Sequence, residues 1–206
     1  MKIKTLRQTS PGRITVCLED GTEIRSDLNV ITQLRLYSGR ELEAGELEQL
    51  RSASARSLGR DGALELVSRR LLSRKELRDK LIQKGESEDT ADYCVEWLSE
   101  RGFLDDGSYA AAVARHYAEK GYGAGRVRTE LSRRGISREL WDGAVEAMPE
   151  TDGKLDRLVA AKLKDPSDRE QVRKLSNSLY RRGYSWEEIR AALSRYSEET
   201  NEDFEL

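Results

Sequence analysis

Three copies of one six-residue pattern occur along the chain, and this internal repeat restricts the fold more than any other feature of the sequence. Each copy has two positions four residues apart, a glycine, a serine two residues later, and two further positions four residues apart. The copies are Leu77, Leu81, Gly85, Ser87, Ala91 and Val95; Val127, Leu131, Gly135, Ser137, Trp141 and Val145; and Leu175, Leu179, Gly183, Ser185, Ile189 and Leu193. A period of about 50 residues indicates tandem structural repeats.

Each copy predicts a helix, a tight turn and a second helix. Apolar residues four apart form a stripe on one helix face, glycine adopts the left-handed conformation that ends a helix, and the following serine can cap the next helix. Ser73 with Glu76 and Ser185 with Glu188 have the spacing of capping boxes, which mark helix starts. With one more helix in front of each copy, the pattern predicts three repeats of three helices.

Composition favours an extended helical array over one large core. The 206-residue chain is 37% apolar and 36% charged, and it contains only 3 prolines. Small stacked units, each of which buries a narrow seam, fit these values better than a single globular domain. We therefore predict a mainly α fold: a tandem array of three three-helix, helix-turn-helix-like repeats with a small N-terminal β-containing module.

The first 60 residues follow a different pattern. Alternating apolar and polar residues on both sides of Asp20-Gly21 predict two or three short antiparallel strands with a hairpin turn. A short helix that is capped by Ser26 or Asp27 should follow. Ser52 to Gly59 is rich in serine, alanine and arginine, so we expect a linker or a frayed helix end before the repeats.

These patterns divide the chain into five predicted segments. We expect an N-terminal module and linker at 1–60, repeats at 61–104, 105–149 and 150–196, and a disordered acidic tail at 197–206. The tail has acidic but no basic residues, so the net charge of −2 hides a slightly basic remainder.

Two positions within the second repeat carry further expectations. Trp141 occupies a repeated core position, so we expect it in the core. The glycine-rich segment Gly121 to Gly125 is expected to be a flexible connection.

Signatures of catalysis, metal binding and membrane insertion are absent from the sequence. It has no P-loop, G-x-S-x-G or H-E-x-x-H motif, and the only histidine, His116, has no evident partner. Cys17 and Cys94 are far apart and form no C-x-x-C pair. The chain shows neither a signal-peptide core nor a long apolar run. We therefore expect a cytoplasmic protein without enzymatic activity, cofactor, metal or membrane contact.

Motifs at the repeat junctions resemble those of the RecX family of recombinase regulators. The run Arg101-Gly102-Phe103-Leu104-Asp105-Asp106, followed by Tyr109-Ala110, looks like the signature that joins the first two repeats of that family. Three further motifs resemble the family's three repeat cores, in the same order: Lys84-Gly85, Arg134-Gly135-Ile136 and Arg181-Arg182-Gly183-Tyr184-Ser185. The N-terminal module, with Leu18-Glu19-Asp20-Gly21, is similar to an extension that some members carry.

The resemblance implies a monomeric, non-enzymatic protein that lies in the helical groove of the RecA filament on single-stranded DNA and bridges neighbouring recombinase subunits. Members of the family typically inhibit filament growth, ATP hydrolysis and strand exchange in recombination, DNA repair and the SOS response. A curved array of three-helix units would suit this task, because stacked repeats form a long concave surface. Single- or double-stranded DNA would be a further partner.

Three basic clusters are the candidate sites for partner binding. The first surrounds the first helix corner, the second lines the fifth repeat helix and the third lines the eighth. Their members are Arg69, Arg70, Arg74 and Lys75; Arg126, Arg128, Arg133 and Arg134; and Lys174, Arg181 and Arg182. Arginine forks suit both carboxylates and phosphates, so we expect contacts with the recombinase or with DNA. The alternative is that the clusters bind no partner and form a solvated face, on which Glu130 and Glu139 balance the positive charge.

Side chains near the helix corners carry two further expectations. Trp186 follows the cap Ser185, and the sequence allows either contact with a partner or simple coverage of a helix end. Arg126, Arg133 and Arg134 lie one or two helical turns apart, which predicts one exposed positive face. Alanine at all three positions should weaken partner binding without unfolding the protein, because exposed substitutions usually change stability by less than about 0.5 kcal/mol.

A tandem helix-turn-helix transcription regulator is the alternative function. Repeated helix corners resemble those of proteins that read the major groove of duplex DNA. The presumed recognition helices, however, begin with the acidic residues Glu88, Asp89, Glu139, Glu187 and Glu188. These carboxylates would face phosphates and base edges unfavourably, so a recombinase regulator is the preferred interpretation.

Overall fold

A computed structural model of the chain describes residues 1–149 and 153–202, with side chains as far as residue 198. Within these residues it has ten α-helices and one three-stranded sheet. The chain divides into two compact units, Met1–Asp105 and Asp106–Leu206. The predicted fold class is confirmed: a small antiparallel sheet comes first in the chain, and three tandem three-helix repeats follow it.

The N-terminal module is an antiparallel meander followed by a short helix. Its strands are β1 (Ile3–Ser10), β2 (Arg13–Leu18) and β3 (Glu23–Asp27), and β2 pairs with both neighbours. Helix α1 (Leu28–Gln33) begins where the side chain of Asp27 accepts a hydrogen bond from a backbone N–H at 3.0 Å. The predicted strands, hairpin turn and helix cap are therefore confirmed.

A single helix, α2 (Ala44–Arg69), runs from the N-terminal module into the first repeat. The prediction of a linker or frayed helix end at Ser52 to Gly59 is therefore wrong. Small residues pack closely there: the Ser54 hydroxyl donates to the Ser26 hydroxyl at 2.8 Å. A Cβ on Gly59 would lie only 2.8 Å from a side-chain carbon of the first repeat. The weak apolar pattern thus reflects tight packing through small residues.

The first repeat consists of the second half of α2, α3 (Arg74–Gln83) and α4 (Glu88–Glu100). Ser73 and Glu76 form the predicted capping box at the start of α3. Gly85 adopts a φ of 97° in the turn between the two helices, as a helix-ending glycine should. The four apolar positions of the pattern are buried, namely Leu77, Leu81, Ala91 and Val95.

The second repeat consists of α5 (Asp106–Glu119), α6 (Ala124–Arg133) and α7 (Trp141–Glu146). A short 3-10 turn directly precedes α7. Val127 and Leu131 of α6 are fully buried, as the apolar stripe predicts. They pack with residues of α5 and α7 in one core cluster.

Trp141 is only partly buried, so its predicted place inside the core is wrong. Its ring lies against the core of the second repeat, and its indole N–H donates to the Ile136 carbonyl at 3.0 Å. Three residues later, Ala144 is buried, and so are Cys94 and Ala192 at the same position of the other repeats. The second core therefore closes around a small residue, while the large indole covers its edge.

The third repeat consists of α8 (Lys154–Lys162), α9 (Arg169–Arg181) and α10 (Trp186–Glu202). Because α10 extends to residue 202, the predicted disorder of the tail from residue 197 is wrong for 197–202. Asp203 to Leu206, the rest of that predicted tail, lie outside the described residues. Leu179 and Ile189 are buried in the core of this repeat.

Leu131→Ala is expected to destabilise the protein by about 2–5 kcal/mol. The side chain is fully buried, and alanine would leave a cavity in the core of the second repeat. Urea unfolding measures the change, with Leu71→Ala as the matched control because Leu71 is 64% exposed. The control should stay within about 0.5 kcal/mol of the parent. Equal destabilisation by the two substitutions would contradict the assigned core.

Candidate partner-binding surface

The first basic cluster is balanced by acidic residues of its own repeat. Each of its four members forms an ion pair with one carboxylate. The pairs are Arg69 with Glu65, Arg70 with Glu76, Arg74 with Glu96 and Lys75 with Asp79. Three of these pairs are exposed on both sides and contribute about 0–1 kcal/mol each, so a partner could replace them at small cost, whereas Glu76 in the fourth pair is only 22% exposed. Four cations and four carboxylates leave this corner without net charge.

The second cluster is organised around one buried carboxylate. The Glu130 side chain is only 4% exposed, and three arginines of the same helix converge on it. The nitrogen–oxygen distances are 2.9 Å from Arg126, 2.8 Å from Arg133 and 4.0 Å from Arg134. The sequence suggested Glu130 only as a balancing surface charge. Its place one helical turn from each arginine is the signal that identifies it as their common partner.

Glu130 stays ionised despite its burial. Burial alone would raise the pKa of this carboxyl, but hydrogen bonds from Arg133 and Tyr117 and the charges of Arg133 and Arg126 hold it below the ordinary glutamate value. Three guanidinium groups around one carboxylate leave two net positive charges. The side chain of Arg133 is 67% exposed and that of Arg126 is 40% exposed, so both arginines can reach a partner.

Arg134 belongs to the interior of the second repeat rather than to its surface. Its side chain is only 20% exposed, and it donates a hydrogen bond to the Tyr109 hydroxyl. The guanidinium also lies over the Tyr109 ring, 5.7 Å from the centroid. The predicted face of three equivalent exposed arginines is therefore wrong at this position, since Arg134 connects α6 to α5. Arg128 is half-buried, and it pairs with Asp142 at 3.0 Å.

The third cluster contains both paired and unpaired cations. Lys174 pairs with Glu170 of the same helix at 2.6 Å. Arg182 donates to the Gly121 carbonyl at 3.5 Å and lies over the Tyr122 ring, with 5.5 Å to its centroid. Arg181 is exposed and has no ion pair with any residue that the structure describes. Arg181 is thus the member of this cluster that is most available to an anionic partner.

The glycine-rich segment Gly121 to Gly125 is a packed joint between the second and third repeats. The Gly123 N–H donates to the Arg182 carbonyl at 3.0 Å, and the Gly125 N–H donates to the Gly183 carbonyl at 2.9 Å. A Cβ on Gly123 would come within 2.5 Å of the Gly183 carbonyl oxygen. Only residues without side chains allow the two backbones to meet in this way. The prediction of a flexible connection is therefore wrong.

This joint brings the second and third basic clusters to one groove. The groove has a volume of about 400 Å³ and lies between α6 and the corner of α9 and α10. Its charged lining residues are Arg126, Arg128, Arg181 and Glu188. At the same corner Tyr180 stacks on Trp186, with ring centroids 5.0 Å apart and an interplanar angle of 17°. Both rings are exposed, so Trp186 lies on the surface.

The His, Cys, Asp and Glu side chains of the described part of the chain do not form a cluster of three or more metal ligands. Burial raises the pKa of the Cys94 thiol to about 11, which keeps it protonated and unreactive. His116 is exposed and contacts the Tyr117 ring edge-on. Among the same residues, no helix combines the length and apolar character that crossing a membrane requires.

Models of three RecX domains match the chain in their natural order. The first three-helix domain of RecX matches residues 60–98, the second 105–145 and the third 157–193. This chain belongs to the RecX family. Each matched range covers most of one helical repeat, and together they include both sides of the glycine joint. The predicted membership of this family is thus confirmed.

Relatives from several bacteria carry the name "Regulatory protein RecX". The Halorhodospira halophila protein is 32% identical over 68% of this chain and 89% of its own length. The Xanthomonas axonopodis pv. citri protein is 39% identical over 63% of this chain and 82% of its own. The Bacillus licheniformis protein is 28% identical over 97% of this chain and 78% of its own, so it also covers the N-terminal module.

Two solved structures share the fold. A crystal structure of regulatory protein RecX has a TM-score of 0.73 and covers 92% of this chain and 98% of its own, at 22% identity. A crystal structure of RecX from Lactobacillus salivarius has a TM-score of 0.60 and covers 69% of this chain and 97% of its own, at 25% identity. The first likeness, at its low identity, supports the architecture alone.

Proposed function

We propose that this protein is a regulator that binds the RecA recombinase filament on single-stranded DNA and inhibits its growth, ATP hydrolysis and strand exchange. The observation that carries the proposal is the match of all three RecX domains, in order, between residues 60 and 193. Relatives that bear the regulatory name cover most of the repeats. A regulator of this kind needs no catalytic residue, metal or cofactor. It would act in the cytoplasm, as a monomer, where the filament forms.

The groove between α6 and the α9–α10 corner is the surface that we propose for contact with the filament. Arg126 and Arg133 are paired with the Glu130 carboxylate and remain accessible to solvent. Arg128 and Arg181 line the groove. A carboxylate that is shared by several arginines limits their rotamers, so less side-chain entropy is lost when they bind. Guanidinium forks can bind surface carboxylates of a protein or phosphates of its DNA. The balanced first cluster would contribute less to this contact.

The protein is expected to inhibit ATP hydrolysis by preformed RecA filaments at concentrations below that of RecA. A protein that bridges neighbouring subunits disturbs a filament when it occupies only part of its length. Steady-state hydrolysis on circular single-stranded DNA measures the effect. Preformed filaments make the assay independent of competition for bare DNA. Unchanged hydrolysis at equimolar protein would refute the proposed function.

The alternative of a tandem helix-turn-helix transcription regulator has weaker support. The helices that would enter the major groove, α4 and α10, begin with Glu88 and Asp89 and with Glu187 and Glu188. Inside the major groove these carboxylates would lie next to base-edge acceptors, which opposes insertion of the helix. Titration with duplexes of varied sequence separates the two functions, since a transcription regulator discriminates among sequences without RecA. Sequence-specific duplex binding would favour the alternative.

A further inference from the structure

Two large aromatic side chains are stacked on the surface at the corner of α9 and α10. Tyr180 lies in the last turn of α9 and Trp186 opens α10. Their rings are nearly parallel, but Tyr180 remains 53% exposed and Trp186 remains 45% exposed. Each ring therefore covers one face of the other and leaves its outer face to solvent. The pair forms a flat aromatic platform that lies outside the core cluster of the third repeat.

Cations border the platform on both sides. Along α9, Lys174, Asn177 and Arg181 recur at helical spacing on the face that includes Tyr180. These four residues line a shallow hollow of about 380 Å³ without any acidic residue. The groove toward α6 lies on the other side, and Tyr180 and Arg181 line both. A negatively charged chain that leaves the platform through the hollow or through the groove would therefore contact Arg181.

Two acidic residues adjoin this platform in sequence, namely Glu188 and the exposed Glu187, which directly follows Trp186. Glu188 lines the groove, but its carboxylate accepts the Ser185 N–H at 2.6 Å in the capping box of α10. Lys174 is held by Glu170 only in an exposed pair, which is weak and exchangeable. Arg181 has no ion pair within the described part of the chain. Arg181 is therefore the cation beside the two rings that is open to an anion.

We propose that the Tyr180–Trp186 platform binds single-stranded nucleic acid, with one base stacked on an outer ring face and neighbouring phosphates at Arg181 and Lys174. Stacking suits any base, because every base has a π-face, and the adjacent cations follow the backbone. In a duplex the bases are stacked on each other, so they cannot reach a surface ring. This proposal goes beyond the filament contact, because the binding of single-stranded nucleic acid requires no recombinase. Either proposal, filament contact or nucleic-acid binding at the platform, can fail while the other holds.

Fluorescence anisotropy of a labelled oligothymidylate at low salt, with the protein alone, tests the platform. Trp186→Ala and Tyr180→Ala should each weaken binding by about 5- to 150-fold, the range for loss of one stacked base. Trp186→Phe should weaken it less, since it keeps an aromatic face. Arg181→Ala should lower the slope of log affinity against log salt by about 0.7, the value for one phosphate on a single strand. Phe103→Ala removes another exposed aromatic ring and should leave binding unchanged.

The outcomes separate this site from the proposed function. The platform would be overturned if the parent failed to bind the oligonucleotide. It would also be overturned if the Trp186→Ala and Tyr180→Ala variants bound the oligonucleotide as tightly as the parent does. Displacement of the oligonucleotide by duplex DNA as efficiently as by single strands would overturn it as well. Because both rings are exposed, circular dichroism should show the parent fold in every variant. The same variants are then added to RecA filaments, where unchanged inhibition together with lost oligonucleotide binding would leave the filament proposal standing and assign the platform to DNA alone.

Discussion

Gly183→Ala is expected to destabilise the second unit by about 2–5 kcal/mol. The backbone of Gly183 has a φ of 92°, a conformation that costs a residue with a side chain about 1–2 kcal/mol. The new Cβ would also lie 2.1 Å from the backbone nitrogen of Arg126, and this neighbour cannot rotate away. Overpacking of this kind adds about 1–3 kcal/mol. The free energy of unfolding in urea measures the sum.

Gly85→Ala is the matched control for this substitution. Gly85 occupies the same position of the first repeat with a φ of 97°, but no atom lies within 4 Å of its would-be Cβ. This variant should therefore show only the backbone cost of about 1–2 kcal/mol. The difference between the two glycines isolates the joint between the second and third repeats. If both variants lost the same stability, the close backbone contact at Gly183 would be incorrect.

Simultaneous replacement of Arg126, Arg133 and Arg134 by alanine is expected to cost about 3–5 kcal/mol of stability, the penalty for leaving a buried charge without its partners. Glu130 is 4% exposed, and all three of its cationic partners would be removed. This reverses the expectation that the sequence alone supports, in which the three arginines form a solvated face. Thermal and urea unfolding of the triple variant measure the effect.

A second substitution shows whether the buried charge is the cause. Adding Glu130→Gln to the triple variant removes the uncompensated carboxylate and should recover part of the stability. Arg128→Ala, which breaks only the exposed pair with Asp142, should cost less than about 1 kcal/mol. A triple variant as stable as the parent would show that Glu130 does not depend on these arginines. Arg133→Ala is the better probe of partner contact, because Arg133 is the most exposed of the three.

Secondary structure in the repeats was predictable because local signals agree there. Apolar residues four apart and the glycine stop mark the same helices, as the burial of Leu77 and Leu131 confirms. The predicted serine cap is confirmed at Ser87 and Ser185, but it is wrong at Ser137, which makes no side-chain cap and precedes a 3-10 turn. The errors arose where tertiary contacts override local pattern. Small residues of α2 that look like a linker are packed against the sheet and α4. Asparagine, serine and glutamate near the C-terminus look like a tail but continue α10 to residue 202.

The basic clusters were visible in the sequence, but their burial and pairing were not. Helical spacing places Glu130 beside three arginines, yet only the fold shows that this carboxylate is inside. The same limit applies to Gly123 and Gly125, whose hydrogen-bond partners Arg182 and Gly183 lie nearly sixty residues away in sequence. No local pattern distinguishes a glycine that gives flexibility from one that permits close backbone contact. The stack of Tyr180 on Trp186 likewise depends on the corner geometry, not on periodicity.

The continuous helix α2 also affects the order in which the chain folds during synthesis. Leu50, on its first half, is fully buried in the core that holds the sheet and α1. This core can close before the first repeat has been translated, because the N-terminal part of a chain emerges first. Helix nucleation is costly, whereas elongation adds one hydrogen bond for each residue that is ordered. The second half of α2 can therefore grow from an existing nucleus, whereas α5 and α8 begin at Asp106 and Lys154 and must each form their own.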